Sequence, residues 1–122
     1  MTEFTHTNFD FENEYPKLIR DNIPSIIKQR EGREADVRVA VDDMEYIVYL
    51  LKKIGEESKE LQKSLEVGNA KEEIADVLEI IDALVKMNGW DMQEIKNLQE
   101  EKRKKNGGFE KRLIMKNNKK HV

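Results

Sequence analysis

Apolar positions in this chain are bunched into periodic runs, and the longest run sets the expected architecture. Ile47, Leu51, Ile54, Ser58, Leu61 and Leu65 follow one another at spacings of 4, 3, 4, 3 and 4, which is one stripe of an amphipathic helix over residues 43–65. Such a stripe is a bundle seam. Val67-Gly68-Asn69 then supplies a short turn with Gly68 at a helix C-cap, so a second helix over residues 70–87 should return antiparallel beside the first. From Ala75 onward, Val77, Leu78, Ile80, Ile81, Ala83, Leu84 and Val85 occupy most of that helix's circumference, which predicts a central position in the fold. Asn88-Gly89-Trp90 closes it. A third helix, from residue 92 to about residue 105, shows Met92, Ile95 and Leu98 before dissolving into Lys102-Arg103-Lys104-Lys105, and Gly107-Gly108 stops it.

Each of the three helices opens with Asp or Asn followed three residues later by Glu: Asp42 with Glu45, Asn69 with Glu72, Asp91 with Glu94. In this variant of the capping box the first side chain accepts an amide hydrogen of the opening turn and the Glu reaches back. Upstream, Pro24 fits the first turn of a short helix ending near Glu31 and Gly32. Val37-Arg38-Val39-Ala40-Val41 and Arg112-Leu113-Ile114-Met115 alternate briefly, which allows a short strand or extended segment at either place. The expected fold is all-α, an antiparallel helix bundle over residues 15–115, with residues 1–14 a frayed N-terminal segment and 116–122 a basic tail.

Composition changes this picture in two ways. At 122 residues one domain is the default, but 38% apolar residues against 39% charged leaves thin layers, which predicts completion by self-association. The net charge of -3 also hides an asymmetry: residues 102–122 hold nine Lys or Arg against the single acid Glu110, leaving 13 basic and 24 acidic side chains in the rest. An acidic body with a basic arm can hold a cation and meet a polyanion. The absence of cysteine excludes a disulfide framework, a thiol nucleophile and a sulfur-ligated metal. No apolar run approaches the ~18 residues of a membrane span, and residues 1–13 are acidic and aromatic rather than basic then apolar. These features predict a soluble cytoplasmic protein.

The acids of Gly55-Glu56-Glu57-Ser58-Lys59-Glu60 and Glu73-Ile74-Ala75-Asp76 gain meaning from the hairpin. Residues level with each other in an antiparallel pair have a constant sum of residue numbers. Glu57 with Asp76, and Glu60 with Glu73, share one such sum, centred within about a residue of the Val67 to Asn69 turn. Each pair on one helix is also spaced i,i+3 and shares a face, so the four acids could form a rectangle. Glu57 lies about 60° from Ile54 at the border of the apolar stripe, while Glu73 and Asp76 flank Ile80 on the wheel, which predicts partial burial. Four carboxylates in a poorly solvated groove repel one another and lose hydration unless a counter-charge joins them. An oxygen-only donor set favours a hard ion, Mg²⁺ or Mn²⁺, over zinc. Glu56, one step round from Glu57, could be a further ligand or the base that orients a water. The bland alternative is that Glu56, Lys59, Glu60 and Lys71 decorate exposed faces.

Glu56-Glu57-x-x-Glu60, a gap, then Glu73-x-x-Asp76 resembles the EExxE...ExxD signature of the MazG-type all-α nucleoside triphosphate pyrophosphohydrolases. Tyr15-Pro16-Lys17-Leu18-Ile19-Arg20-Asp21-Asn22-Ile23-Pro24, the Asp42-Asp43-x-Glu45-Tyr46 helix start and Gly107-Gly108-Phe109-Glu110-Lys111 resemble the small house-cleaning subgroup often labelled phosphoribosyl-ATP pyrophosphohydrolase-like. The resemblance spans roughly residues 15–115. It implies hydrolysis of an NTP or dNTP to the monophosphate and pyrophosphate, with Mg²⁺ held by Glu57, Glu60, Glu73 and Asp76 and with Glu56 an outer ligand or water-positioning base. It also implies a homodimer or homotetramer of helix hairpins.

The expelled pyrophosphate needs cationic partners, for which Lys102, Arg103 and Lys105 are the first candidates and Lys17, Arg20 and Lys53 the reserves. The position before Gly107, often Arg in the subgroup, is Asn106 here, which weakens that turn as a source of a fixed guanidinium. Trp90, Tyr46, Tyr49, Asn88 and Asn97 are available for base recognition, with no sequence reason to choose among them. Two other classes compete: a non-catalytic helical interaction module, which leaves the acids of the second helix unexplained, and a nucleic-acid binder, against which the acidic body counts.

Overall fold

A computed structural model describes residues 15–118, and every regular element among them is helical. The helices are α1 (Ile23–Glu31), α2 (Asp43–Val67), α3 (Ala70–Met87) and α4 (Met92–Asn106). The fold is all-α, as the periodicity predicts. Residues 1–14 and the end of the basic tail, 119–122, lie outside the described residues. The two alternating segments, 37–41 and 112–115, form no strand. No helix among the described residues is long and apolar enough to cross a membrane.

Helix ends follow from local chemistry. Asp42 accepts the Glu45 amide at 2.8 Å, and the Glu45 carboxylate reaches back to the Val41 amide at 2.9 Å, so the box at the start of α2 closes one residue earlier than expected. Asp91 caps α4 through the Gln93 amide at 2.9 Å. Asn69 departs from expectation: its side chain makes no capping bond, and the first turn of α3 is closed by the Glu72 amide on the Asn69 carbonyl at 3.2 Å. The turn before it leaves Asn69 at φ -111°, ψ 30°, away from the extended geometry in which an N-cap side chain meets the first turn. Gly68 ends α2 at φ 87°, donating its amide to the Ser64 carbonyl at 2.8 Å, which is the left-handed cap its position predicts.

The chain divides into two compact units, Met1–Gly89 and Trp90–Val122. In the first, the extensive helix contact among the described residues is between α2 and α3, an antiparallel hairpin across the Gly68-Asn69 turn. Its covered stripe on α2 differs from the one predicted. Leu50 and Ser64 are buried and Ile47, Ile54, Glu57 and Leu61 half-buried, whereas Leu51, Ser58 and Leu65 are exposed. The two stripes share Ile47, Ile54 and Leu61, and the observed one replaces three outward positions by Leu50, Glu57 and Ser64. The buried Ser64 hydroxyl is satisfied by donating to the Leu61 carbonyl at 2.8 Å.

The central position expected of α3 is likewise corrected: Ile80 and Val85 are buried, but Ile74, Leu78 and Ile81 remain exposed. An apolar circumference marks a helix that could be covered all round, and within one chain the extensive packing reaches α3 from α2. The second unit consists of α4 and the irregular segment after it, with Met92 and Ile95 half-buried and Leu98 exposed.

Candidate functional site

Glu57 turns into the hairpin because its position on α2 falls between Ile54 and Leu61 on the stripe that meets α3. Glu73 and Asp76 come from the opening turns of α3, on the same face as Ile80. One carboxylate oxygen from each of Glu57, Glu73 and Asp76 lies within 4.8 Å of the other two, and all three side chains are half-buried. The hairpin therefore brings together three of the four acids.

Glu60, the fourth, is outside this set. It is three-quarters covered, with the Lys63 ammonium 4.0 Å from one oxygen.

Glu56 resolves neither as a solvated acid nor as a member of the cluster. It is 5% exposed, and its Oε2 pairs with Lys53 Nζ at 3.0 Å. A buried carboxylate needs such a partner, since its desolvation is otherwise uncompensated.

The electrostatics of the cluster follow from crowding. Burial pushes the Glu57 carboxyl up to about 7; a hydrogen bond with the Glu73 carboxyl and the negative charge of Asp76 add to the shift, and the Lys53 ammonium opposes it. A second cation arrives from the segment before α1: Arg20 Nη2 donates to Asp76 Oδ1 at 2.6 Å across 56 residues of sequence. Both Arg20 and Lys53 ranked only as reserves in sequence, because nothing in spacing reveals a contact between a loop residue and a helix so far along the chain. The i,i+3 relation of Lys53 to Glu56 was the one local signal available.

The first-choice cations, Lys102, Arg103 and Lys105, belong to α4 in the second unit, where all three are exposed. Arg103 pairs there with Glu110 at 3.3 Å. Lys17 sits over the Tyr15 ring, 4.9 Å from its centre. Among the residues offered for base recognition, Asn88 donates to the Leu84 carbonyl at 2.8 Å and so caps α3, Asn97 accepts from Gln93 at 2.9 Å, and the Tyr49 ring lies under Lys52 at 5.2 Å. Tyr46 is half-buried and Trp90 exposed. A depression of about 250 Å³ lies elsewhere on α2, among Lys59, Gln62, Lys63 and Glu66, and includes none of the clustered acids.

The donor set suits a hard cation on its own chemistry. Octahedral ligands at about 2.1 Å place neighbouring oxygens about 3 Å apart and opposite ones about 4.2 Å apart, so oxygens within 4.8 Å of one another could share one ion after side-chain adjustment. Fold and site together define an all-α helix-hairpin protein with a three-carboxylate cluster between its two long helices. Comparison of the chain with family models, with characterised proteins and with solved structures returns no match.

Proposed function

We propose that this chain is a Mg²⁺-dependent nucleoside triphosphate pyrophosphohydrolase, of the kind its EExxE...ExxD pattern resembles, acting in the cytoplasm on an NTP or dNTP. The observation that carries the reading is the convergence of Glu57, Glu73 and Asp76 from two helices, with their oxygens within 4.8 Å and the Glu57 proton held up to about 7. A carboxylate cluster that retains a proton at neutral pH is one that a divalent cation would relieve.

Glu57, Glu73 and Asp76 would hold the ion, with Glu60 brought in by rotamer change as a fourth ligand. Bound Mg²⁺, or Mn²⁺, supplies neutralisation of phosphate oxygens and a lowered pKa for a coordinated water. Water oxygen bonds to the α-phosphorus, the bond from the α-phosphorus to the α,β-bridging oxygen breaks, and pyrophosphate leaves with that oxygen and the electron pair. Glu56 is the candidate to accept the water proton or to serve as outer ligand, and its ion pair fixes the Lys53 ammonium beside the acids. Lys102, Arg103 and Lys105 remain candidates for the leaving pyrophosphate.

A second copy of the chain belongs to the same reading. On α2, Met44, Val48, Leu51 and Leu65 are exposed, and on α3 Ile74, Leu78 and Ile81 are exposed. Helical rotation puts both rows on one side of the hairpin, an arc in which Glu66, at the wheel position of Val48, is the one charged residue, in a chain that is 39% charged. A largely apolar face of two antiparallel helices is complementary to itself under a two-fold axis, giving a four-helix homodimer or a homotetramer built from it.

This apolar face alone favours the competing reading of a non-catalytic helical module. Pyrophosphate release from a panel of canonical and damaged NTPs and dNTPs with Mg²⁺ separates the two. The enzymatic reading expects turnover that Asp76→Asn abolishes with the helical content intact; no turnover on any member of the panel would leave the module.

A further inference from the structure

We propose that Arg20 is a phosphate-binding arm of this site, and that its ion pair with Asp76 is the resting position it leaves when a cation and a polyphosphate bind together. The inference rests on the metal-dependent reading above and adds to it a residue and a switching step.

Arg20 is held by its backbone, and its side chain is anchored at a single point. Its carbonyl accepts the Ile23 amide at 3.1 Å, which fixes the segment before α1 at that point, while the side chain is 57% exposed. A guanidinium carries five N–H donors in a rigid fork suited to two-point binding of carboxylate or phosphate. Here the hydrogen bond it makes among the described residues is a single one, Nη2 to Asp76 Oδ1 at 2.6 Å. The contrast with Arg38 is direct: Arg38 spends two nitrogens on Glu45, at 2.7 and 2.9 Å, and so is committed to its carboxylate. Arg20 rests on one oxygen with most of its fork turned to solvent.

That oxygen belongs to a carboxylate of the acidic cluster. A divalent cation taking Asp76 competes with Arg20 for the same group and repels the guanidinium. A nucleotide arriving with the cation brings phosphate oxygens within the sweep of the displaced side chain and offers the two-point partner Asp76 does not provide. The pair therefore stabilises the cluster while it holds no cation, and disfavours occupancy by a bare ion relative to occupancy by ion and nucleotide together. Arg20 lies in the same unit as the acids, so this arm needs no contribution from α4.

The signature is two effects of opposite sign from one substitution, measured on the full chain. Arg20→Ala should bind Mn²⁺ more tightly in the absence of nucleotide, by roughly 3- to 10-fold in a calorimetric titration, because Asp76 no longer has a competing partner. The same variant should show KM for the nucleoside triphosphate raised about 10-fold, from loss of a charge-assisted contact. Arg20→Lys should recover part of the KM. If Mn²⁺ affinity falls or is unchanged, or if KM is unchanged, the proposal is overturned. A parallel loss of both affinities with a lowered melting temperature and no recovery in Arg20→Lys marks a merely structural pair and also overturns it. Wild-type protein that binds no Mn²⁺ and releases no pyrophosphate overturns the underlying reading, a result distinguishable from an active wild type that Arg20→Ala leaves unaltered.

Discussion

Glu57 on α2 and Glu73 on α3 bring carboxylate oxygens within 4.8 Å of each other and of Asp76, and burial together with this crowding raises the Glu57 carboxyl to about 7. The fold thus brings like-charged groups together at a cost that protonation of Glu57 relieves.

This sets a pH dependence of known sign. The Glu57 pKa is raised from 4.5 to about 7, so its contribution to stability is fully present below about pH 4.5 and is lost as pH rises through about 7. Discounted for solvent screening, the loss is roughly 1 kcal/mol. Glu57→Gln, which keeps a neutral side chain at all pH values, should flatten this dependence and unfold at higher urea than wild type at pH 8 without divalent ions. Equal midpoints for the two proteins at pH 8 would contradict the shift.

Cation binding should run against that proton. Affinity for Mg²⁺ should rise as pH increases toward and above about 7, and titration calorimetry at pH 6 should show proton release that varies with buffer ionisation enthalpy. Mg²⁺ should also raise the wild-type melting temperature at pH 8 and leave Asp76→Asn nearly unmoved. A pH-independent affinity would remove Glu57 from the binding group.

At the start of α2, Arg38 donates Nη1 to Glu45 Oε1 at 2.7 Å and Nη2 to Oε2 at 2.9 Å. Hydrogen bonding from Arg38, then from the Val41 amide, holds the Glu45 carboxyl down to about 2. Because this pKa is depressed, the stabilisation is present above about pH 4.5 and disappears as pH falls through about 2. Arg38→Gln should move the Glu45 carboxyl titration back toward 4.5, read from its side-chain carbon shift by NMR. An unmoved titration would show that the guanidinium is not its main partner.

The largely apolar face of the hairpin predicts the mass in solution. Wild type should elute as a multiple of 14.4 kDa in light scattering, and Leu51→Glu or Leu78→Glu should weaken association by about 2 kcal/mol per substituted chain, roughly 30-fold. A wild-type monomer at millimolar concentration would leave that face without a second copy.

Gly68 sits at φ 87°, with open space where a Cβ would project. Gly68→Ala meets no clash, so its cost should be the backbone strain alone, about 1 kcal/mol by urea denaturation. A larger loss would mean that the turn is more crowded than it is here.

Local chemistry made much of the helical layout legible: Pro24 in the first turn of α1, Asp42 and Asp91 as caps, Gly68 and Gly107 as stops, and α3 over the span its pattern predicts. Asn69 shows the limit of such signals, since a capping side chain acts only if the preceding turn aims it, and that turn is set by how α2 ends. The two stripes of α2 show another. The 4, 3, 4, 3, 4 spacing selects Leu51 and Leu65 over Leu50 and Ser64, yet they lie on the exposed side.

By itself, then, the sequence determined that α2 and α3 form an antiparallel pair in which Glu57 is level with Asp76, because helical rise and a two-residue turn fix the register. It could not determine which face of α2 meets α3, since apolar residues cover more than one face and packing chooses between them. Packing turned Glu57 inward, left Glu60 outside the cluster and buried Glu56 against Lys53. Tertiary structure alone also brought Arg20 to Asp76, because an ion pair spanning 56 residues depends on where the chain is led in space and leaves no periodic mark.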